Sequence, residues 1–171
     1  MFNKILDKII LSAILYYHDR DNRVGMRITY KGDYALKTML DLAINYGLNP
    51  ISISDLAKHA DIPVKFLEQI LLELKKGGFV ESRRGNIGGY LLARKPEEIT
   101  LGDVLRFIEG PIEPIACVRK GYKGCRDLHS CVFKEIWSEI SETTSKIIDR
   151  INFAELAIKS RKPKEGLSYQ I

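Results

Sequence analysis

Cysteine is scarce in this chain: 171 residues contain three, alongside a single tryptophan. A small and odd number of thiols excludes a disulfide-stapled secreted fold and fits a reducing, cytoplasmic setting. Long apolar runs are missing as well. The run IILSAILYY, residues 9–17, has nine residues, against roughly 20 for a helix that crosses a bilayer, so no membrane association is expected. It resembles the centre of a signal peptide, but no A-x-A-like cleavage site follows. There is no internal repeat, no low-complexity tract and no C-x-x-C pair. Gly85-Asn86-Ile87-Gly88-Gly89 lacks the lysine and serine of a phosphate-cradling loop and sits between two β-prone runs. His18, His59 and His129 are scattered and pair with no evident nucleophile. The chain is not expected to be an enzyme.

What remains is an ordinary globular composition with 27 basic and 22 acidic residues, a net charge of +5 that leans toward polyanions such as nucleic acid. Residues 1–25 allow an amphipathic helix through Ile5, Ile9, Ala13 and Tyr17. They also read as an artefact of start-site choice, because Arg23-Val24-Gly25 can be encoded by a purine-rich ribosome-binding stretch ahead of Met26. From Met26 the pattern is regular. Leu36, Met39, Leu40, Ala43 and Ile44 keep helical spacing up to Gly47 and Pro50. Ser52 or Ser54 can cap a short helix, SDLAKHA, and Pro63 suits the first turn of a third helix, PVKFLEQILLELKK, which stops at Gly77-Gly78. Two β-prone runs, FVES and YLLA, flank the turn-forming RRGNIGG. Thr100 and Asp103 form a capping-box pattern. The repeat Val132, Ile136, Ile140, Thr144, Ile147, Ile151, Ala154, Ile158 predicts one amphipathic helix over 132–158, followed by a polar tail.

Positions within the first half predict a helix–turn–helix. Ala57 is small where two helices must cross, and Asp61 tolerates the positive φ that the turn needs. Ile62, Leu67 and Ile70 fall where the second helix packs inward. The glycine stop and a hairpin tipped by Arg83 and Arg84 add a wing, which can place arginine against phosphates or in a narrow minor groove. Lys65, Glu68 and Gln69 then face outward near the amino end of the helix that enters the major groove in such proteins. Glutamine can bond an adenine edge and glutamate can accept from cytosine. The expected architecture is mainly α with a small β-hairpin wing.

All three cysteines lie in IACVRKGYKGCRDLHSC, residues 115–131, spaced C-x7-C and C-x5-C. These intervals are long for a structural zinc turn and suit an iron–sulfur cluster held in a glycine-containing loop. A metal-free route is open too, in which one thiol oxidises and a neighbour resolves it. Cys131, near the amino end of a helix, is the best placed for thiolate character. His129 is the nearest imidazole within the loop.

The runs MRITYKGDYALKTMLDLA, VKFLEQILLELKKGGFVESRRGNIGGYLL and ITLGDVLRFIEGPIEP resemble one family, in order, from residue 26 to about residue 156. It is the bacterial winged-helix transcription regulators that include IscR, NsrR and CymR. The resemblance implies a homodimer built on the carboxy-terminal helix, bound to a pseudo-palindromic double-stranded operator. It implies base contacts from Lys65, Glu68 and Gln69 and a minor-groove contact from Arg84. It also implies a [2Fe–2S] or [4Fe–4S] cluster on Cys117, Cys125 and Cys131, the longer first interval leaving its type open. The histidine that IscR places three residues after its last cysteine is Lys134 here. NsrR points instead to the eighth residue from Met26, which is Asp33, reaching the cluster of the other subunit, with His129 as the alternative. Relatives of the CymR kind lack the cysteines and act through a protein partner in cysteine metabolism. The implied division is an extension over 1–25, the DNA-binding domain 26–110, the cluster loop 111–130, the dimerisation helix 131–158 and the tail 159–171.

Overall fold

The computed structural model describes residues 28–85 and 87–161. The expected extension over 1–25, Asn86 at the hairpin tip and the tail from residue 162 lie outside the described residues. Helix α1 (Tyr30–Ile44) starts beneath Thr29, whose hydroxyl accepts the Gly32 N–H. Helix α2 (Ile53–Ala60) is capped by Ser52, which accepts the Asp55 N–H, and α3 (Val64–Lys76) follows after a three-residue turn. Strands β1 (Val80–Arg83) and β2 (Gly89–Leu92) form an antiparallel hairpin with Val80 opposite Leu92 and Arg83 opposite Gly89. Helix α4 (Leu101–Glu109) has the capping box that Thr100 and Asp103 predict, both reciprocal hydrogen bonds being present. The chain then runs through a short 3-10 turn (Ala116–Val118) to α5 (Phe133–Asp149) and α6 (Phe153–Arg161).

The core lies where α2, α3, α4, α6 and β2 pack around α1. Ala35, Met39 and Leu42 on α1 meet Leu56, Leu67, Leu71, Leu74, Val104 and Phe153, each no more than 2% exposed. This is the expected mainly α architecture with a two-stranded wing. Ile51 extends the wing by exchanging backbone hydrogen bonds with Tyr90, at 2.8 and 3.0 Å.

The structure corrects the single helix expected over 132–158. The helix ends at Arg150, and residues 151–152 leave it because they pair with the start of α4. Leu101 N–H donates to Ile151 C=O at 2.8 Å, and Phe153 N–H donates to Ile99 C=O at 3.1 Å. Asn152 then caps α6 by accepting the Glu155 N–H at 2.9 Å. The apolar repeat therefore serves two surfaces. On α6, Phe153 and Ala157 are buried in the core, whereas α5 buries only Ile148.

The carboxyl end of α5 is clamped to α4 by Arg106, which donates to both Asp149 oxygens at 2.6 and 2.9 Å. Gly102 makes the approach possible, because a Cβ there would collide with the Asp149 carboxylate. Hydrogen bonding to Arg106 holds the Asp149 carboxyl below its ordinary value of 3.8. A depressed carboxyl stabilises the fold fully above that ordinary value and loses its contribution as pH falls through the lower one. Asp149→Asn is therefore expected to cost under about 1 kcal/mol near neutral pH, both partners being well exposed. The deficit should vanish in strong acid, as urea unfolding at a series of pH values would register.

Gly89→Ala is expected to cost about 1–3 kcal/mol, measured in the same way. Its Cβ would strike the Ile51 carbonyl, which the bridge to Tyr90 holds in place.

Candidate nucleic-acid interface and cysteine segment

The turn between α2 and α3 depends on one backbone geometry. Asp61 takes φ 53° and ψ 50°, the single positive-φ residue other than glycine among the described residues. Its N–H caps α2 by donating to the Ala57 carbonyl. Ile62 N–H donates to the same carbonyl at 2.9 Å, and its side chain is 4% exposed. Aspartate accepts this conformation at low cost because its short polar side chain is compatible with the left-handed region. The turn orients α3 so that Leu67, Ile70, Leu71 and Leu74 are buried.

The opposite face of α3 presents Lys65, Glu68 and Gln69, all exposed. Glu68 and Gln69 have no hydrogen-bond or ion-pair partner among the described residues, so their polar ends are available to a ligand. The wing stands beside this helix, tied to it where Lys75 Nζ donates to the Ser82 hydroxyl at 2.6 Å. At the wing, Arg83 lies 3.6 Å from Glu81. Arg84 is exposed and has no such partner among the described residues. The residues that the sequence singled out thus lie on two adjoining elements, α3 and the wing, with Arg84 the freer of the two arginines.

The cysteine segment begins where α4 ends. Cys117 sits half-buried in the 3-10 turn, Cys125 is exposed, Cys131 is half-buried beside α5, and all three thiols are free. Exposed His129 shares a shallow surface hollow with Cys131, Glu135 and Glu139. Asp33 lies in the first turn of α1, where its carboxylate meets Lys37 at 2.7 Å and holds that ammonium above its usual value. As a ligand it must exchange this partner for a metal. Among the described residues no three His, Cys, Asp or Glu side chains are grouped to hold a metal ion. The described residues thus do not bring the cysteines together with Asp33 or His129 into a ligand set.

Two connections at this segment were not foreseen from the sequence. Glu109, the last residue of α4, accepts hydrogen bonds from the Thr29 N–H at 3.0 Å and the Thr29 hydroxyl at 2.7 Å. This ties the amino end of α1, with Asp33, to the entry of the cysteine segment. Gly32 is the local signal, since glycine is unfavourable inside a helix and here any Cβ would collide with the Glu109 carboxylate. The second is the Arg106–Asp149 clamp at the far end of α5. Between the segment and that clamp, Phe133, Ile136 and Ile147 leave an apolar stripe 59%, 52% and 44% exposed. No helix among the described residues is long and apolar enough to cross a membrane.

Comparison with known proteins agrees with this geometry. A family model described as Rrf2, an iron-dependent transcriptional regulator, matches residues 28–159. The transcriptional regulator IscR of Serratia proteamaculans is 35% identical over 131 residues, covering 77% of this chain and 79% of that protein. Among solved structures, the Bacillus subtilis cysteine regulator CymR is similar with a TM-score of 0.65 and 32% identity, covering 78% of this chain and 97% of that one. IscR of T. potens has a TM-score of 0.67 and 30% identity, covering 85% and 96%. The family model and the IscR relative of Serratia proteamaculans are both described as regulators of transcription. The helix–turn–helix, its wing and these matches together place the chain in the Rrf2 family of winged-helix transcriptional regulators.

Proposed function

We propose that this chain is a cytoplasmic, homodimeric regulator that binds a pseudo-palindromic double-stranded operator and tunes its affinity through an iron–sulfur cluster. The observation that carries the reading is the confinement of all three free thiols to the segment joining the winged helix to α5. The donor chemistry fits: three unpaired cysteines, each at least partly exposed, on a stretch whose regular structure is one 3-10 turn. Cys117, Cys125 and Cys131 would hold the cluster, with Asp33 of a second copy as fourth ligand and His129 as the alternative. When bound, the cluster supplies a centre whose integrity responds to iron, oxidants, nitric oxide or cluster supply.

The chain's own residues supply the rest. The exposed stripe Phe133, Ile136 and Ile147 is suited to a second copy of α5, since apolar stripes at helical spacing bury against like stripes. Lys65, Glu68 and Gln69 would contact base edges, Arg83 and Arg84 the backbone and minor groove. Because the segment lies between α4 and α5, its rearrangement changes how α5 sits on the winged helix. In a dimer joined through α5, that alters the separation of two recognition helices reading half-sites about one helical turn apart. A second reading follows from the free, partly exposed thiols themselves: a cluster-free regulator acting by cysteine oxidation, or through a protein partner as in cysteine metabolism.

Anaerobic purification with iron, sulfide and zinc analysis separates these readings. The proposal expects charge-transfer absorbance, with iron and sulfide lost when any of Cys117, Cys125 or Cys131 is replaced by alanine. Asp33→Ala and His129→Ala then assign the fourth ligand. A preparation without iron and sulfide leaves thiol oxidation or a protein partner as the mechanism.

Arg84→Ala is expected to weaken operator binding about tenfold and to lower the log–log salt slope by about one. Unchanged affinity across a salt titration sinks the wing assignment.

A further inference from the structure

The outward face of α3 holds one residue that the polar readout does not use. Leu72 is 59% exposed, although α3 already buries four apolar side chains on its other face. Its spacing from the polar contact residues is regular: Lys65, Glu68, Gln69 and Leu72 occupy positions i, i+3, i+4 and i+7. Residues at these intervals form a single stripe on a helix. They are also the intervals at which a recognition helix lying in the major groove reaches successive base edges. An exposed leucine on this stripe is unlike its three polar neighbours. It has no hydrogen-bonding capacity and gains only by removing apolar surface from water.

In the major groove one base carries an apolar feature, the 5-methyl group of thymine. We infer that Leu72 is a fourth specificity-determining residue, packing on the methyl of one thymine in each operator half-site, next to the base pairs read by Glu68 and Gln69. The inference rests on the DNA-binding reading above and adds to it a base identity that the polar residues do not supply. The arrangement also accounts for the exposure of Leu72 in the free protein, since the surface that covers it arrives with the DNA.

The test uses the full-length chain and a duplex that it selects from a random-sequence pool. Each dT of one half-site is replaced in turn by dU, which removes the methyl and leaves every hydrogen-bonding group in place. One position is expected to lose about fourfold in affinity, the worth of one buried methyl. Leu72→Ala should weaken binding to the dT duplex to a similar degree and abolish the difference between dT and dU at that position. Leu72→Met, which keeps an apolar contact, should retain it. A chain that binds its selected duplex but tolerates every dU, or stays dU-sensitive after Leu72→Ala, overturns the role of Leu72 and leaves DNA binding intact. A change of oligomeric mass in Leu72→Ala reassigns the side chain to a subunit contact and overturns it too. A chain that enriches no duplex removes the DNA-binding reading itself, and the Leu72 assignment with it.

Discussion

Two backbone hydrogen bonds, between Leu101 and Ile151 and between Phe153 and Ile99, decide how the carboxy-terminal third of this molecule is used. They hold a short extended stretch against the start of α4 and take the chain out of the helix at residues 151–152. Without that pairing, the apolar repeat would run on as a single rod. With it, α6 turns back to seal the core against α1, and the apolar stripe of α5 stays exposed. The winged helix is therefore completed by residues that follow the cysteine segment in sequence. Any displacement of that segment is felt between two parts of one packed unit.

The neighbouring contacts reinforce this placement. Glu109 joins the amino end of α1 to the exit of α4, and Arg106 joins α4 to the end of α5. Helix α4 thus has the wing-bearing core on one side and the cysteine-bearing connection on the other. The glycines at 32 and 102 mark both junctions, since each lies where a carboxylate presses on a helix backbone. Lys75 and Ser82 hold wing and recognition helix together. The candidate contact residues accordingly lie on two adjoining elements, α3 and the wing.

Most of the architecture was legible because it follows local rules. Asp61 could be named as the left-handed turn residue from its distance to Ala57. The capping box of α4, the double-glycine end of α3 and the hairpin each occupy only a few consecutive residues. The break in the last helix was not legible, because the repeat continues through Ile151 and the cause lies some fifty residues earlier, at 99–101. The Thr29–Glu109 bonds span 80 positions, and no local pattern announces them. At the cysteines, sequence named three thiols within one short stretch. It could not show that the described residues leave them ungrouped, because convergence depends on the fold of the loop. Lys65, Glu68 and Gln69 were found as polar residues on an outward face, whereas the exposure of Leu72 on that same face is seen only in the structure.

The clamp of Arg106 on Asp149 gives α5 a fixed end, and the cysteines sit at the free one. A helix of 17 residues is about 25 Å long, so displacing its free end by about 4 Å corresponds to a rotation of only about 10° at the clamp. The cysteine end therefore works with mechanical advantage. Modest forces exerted through a long arm become large torques on the face of α4, over a small angle that close packing can absorb.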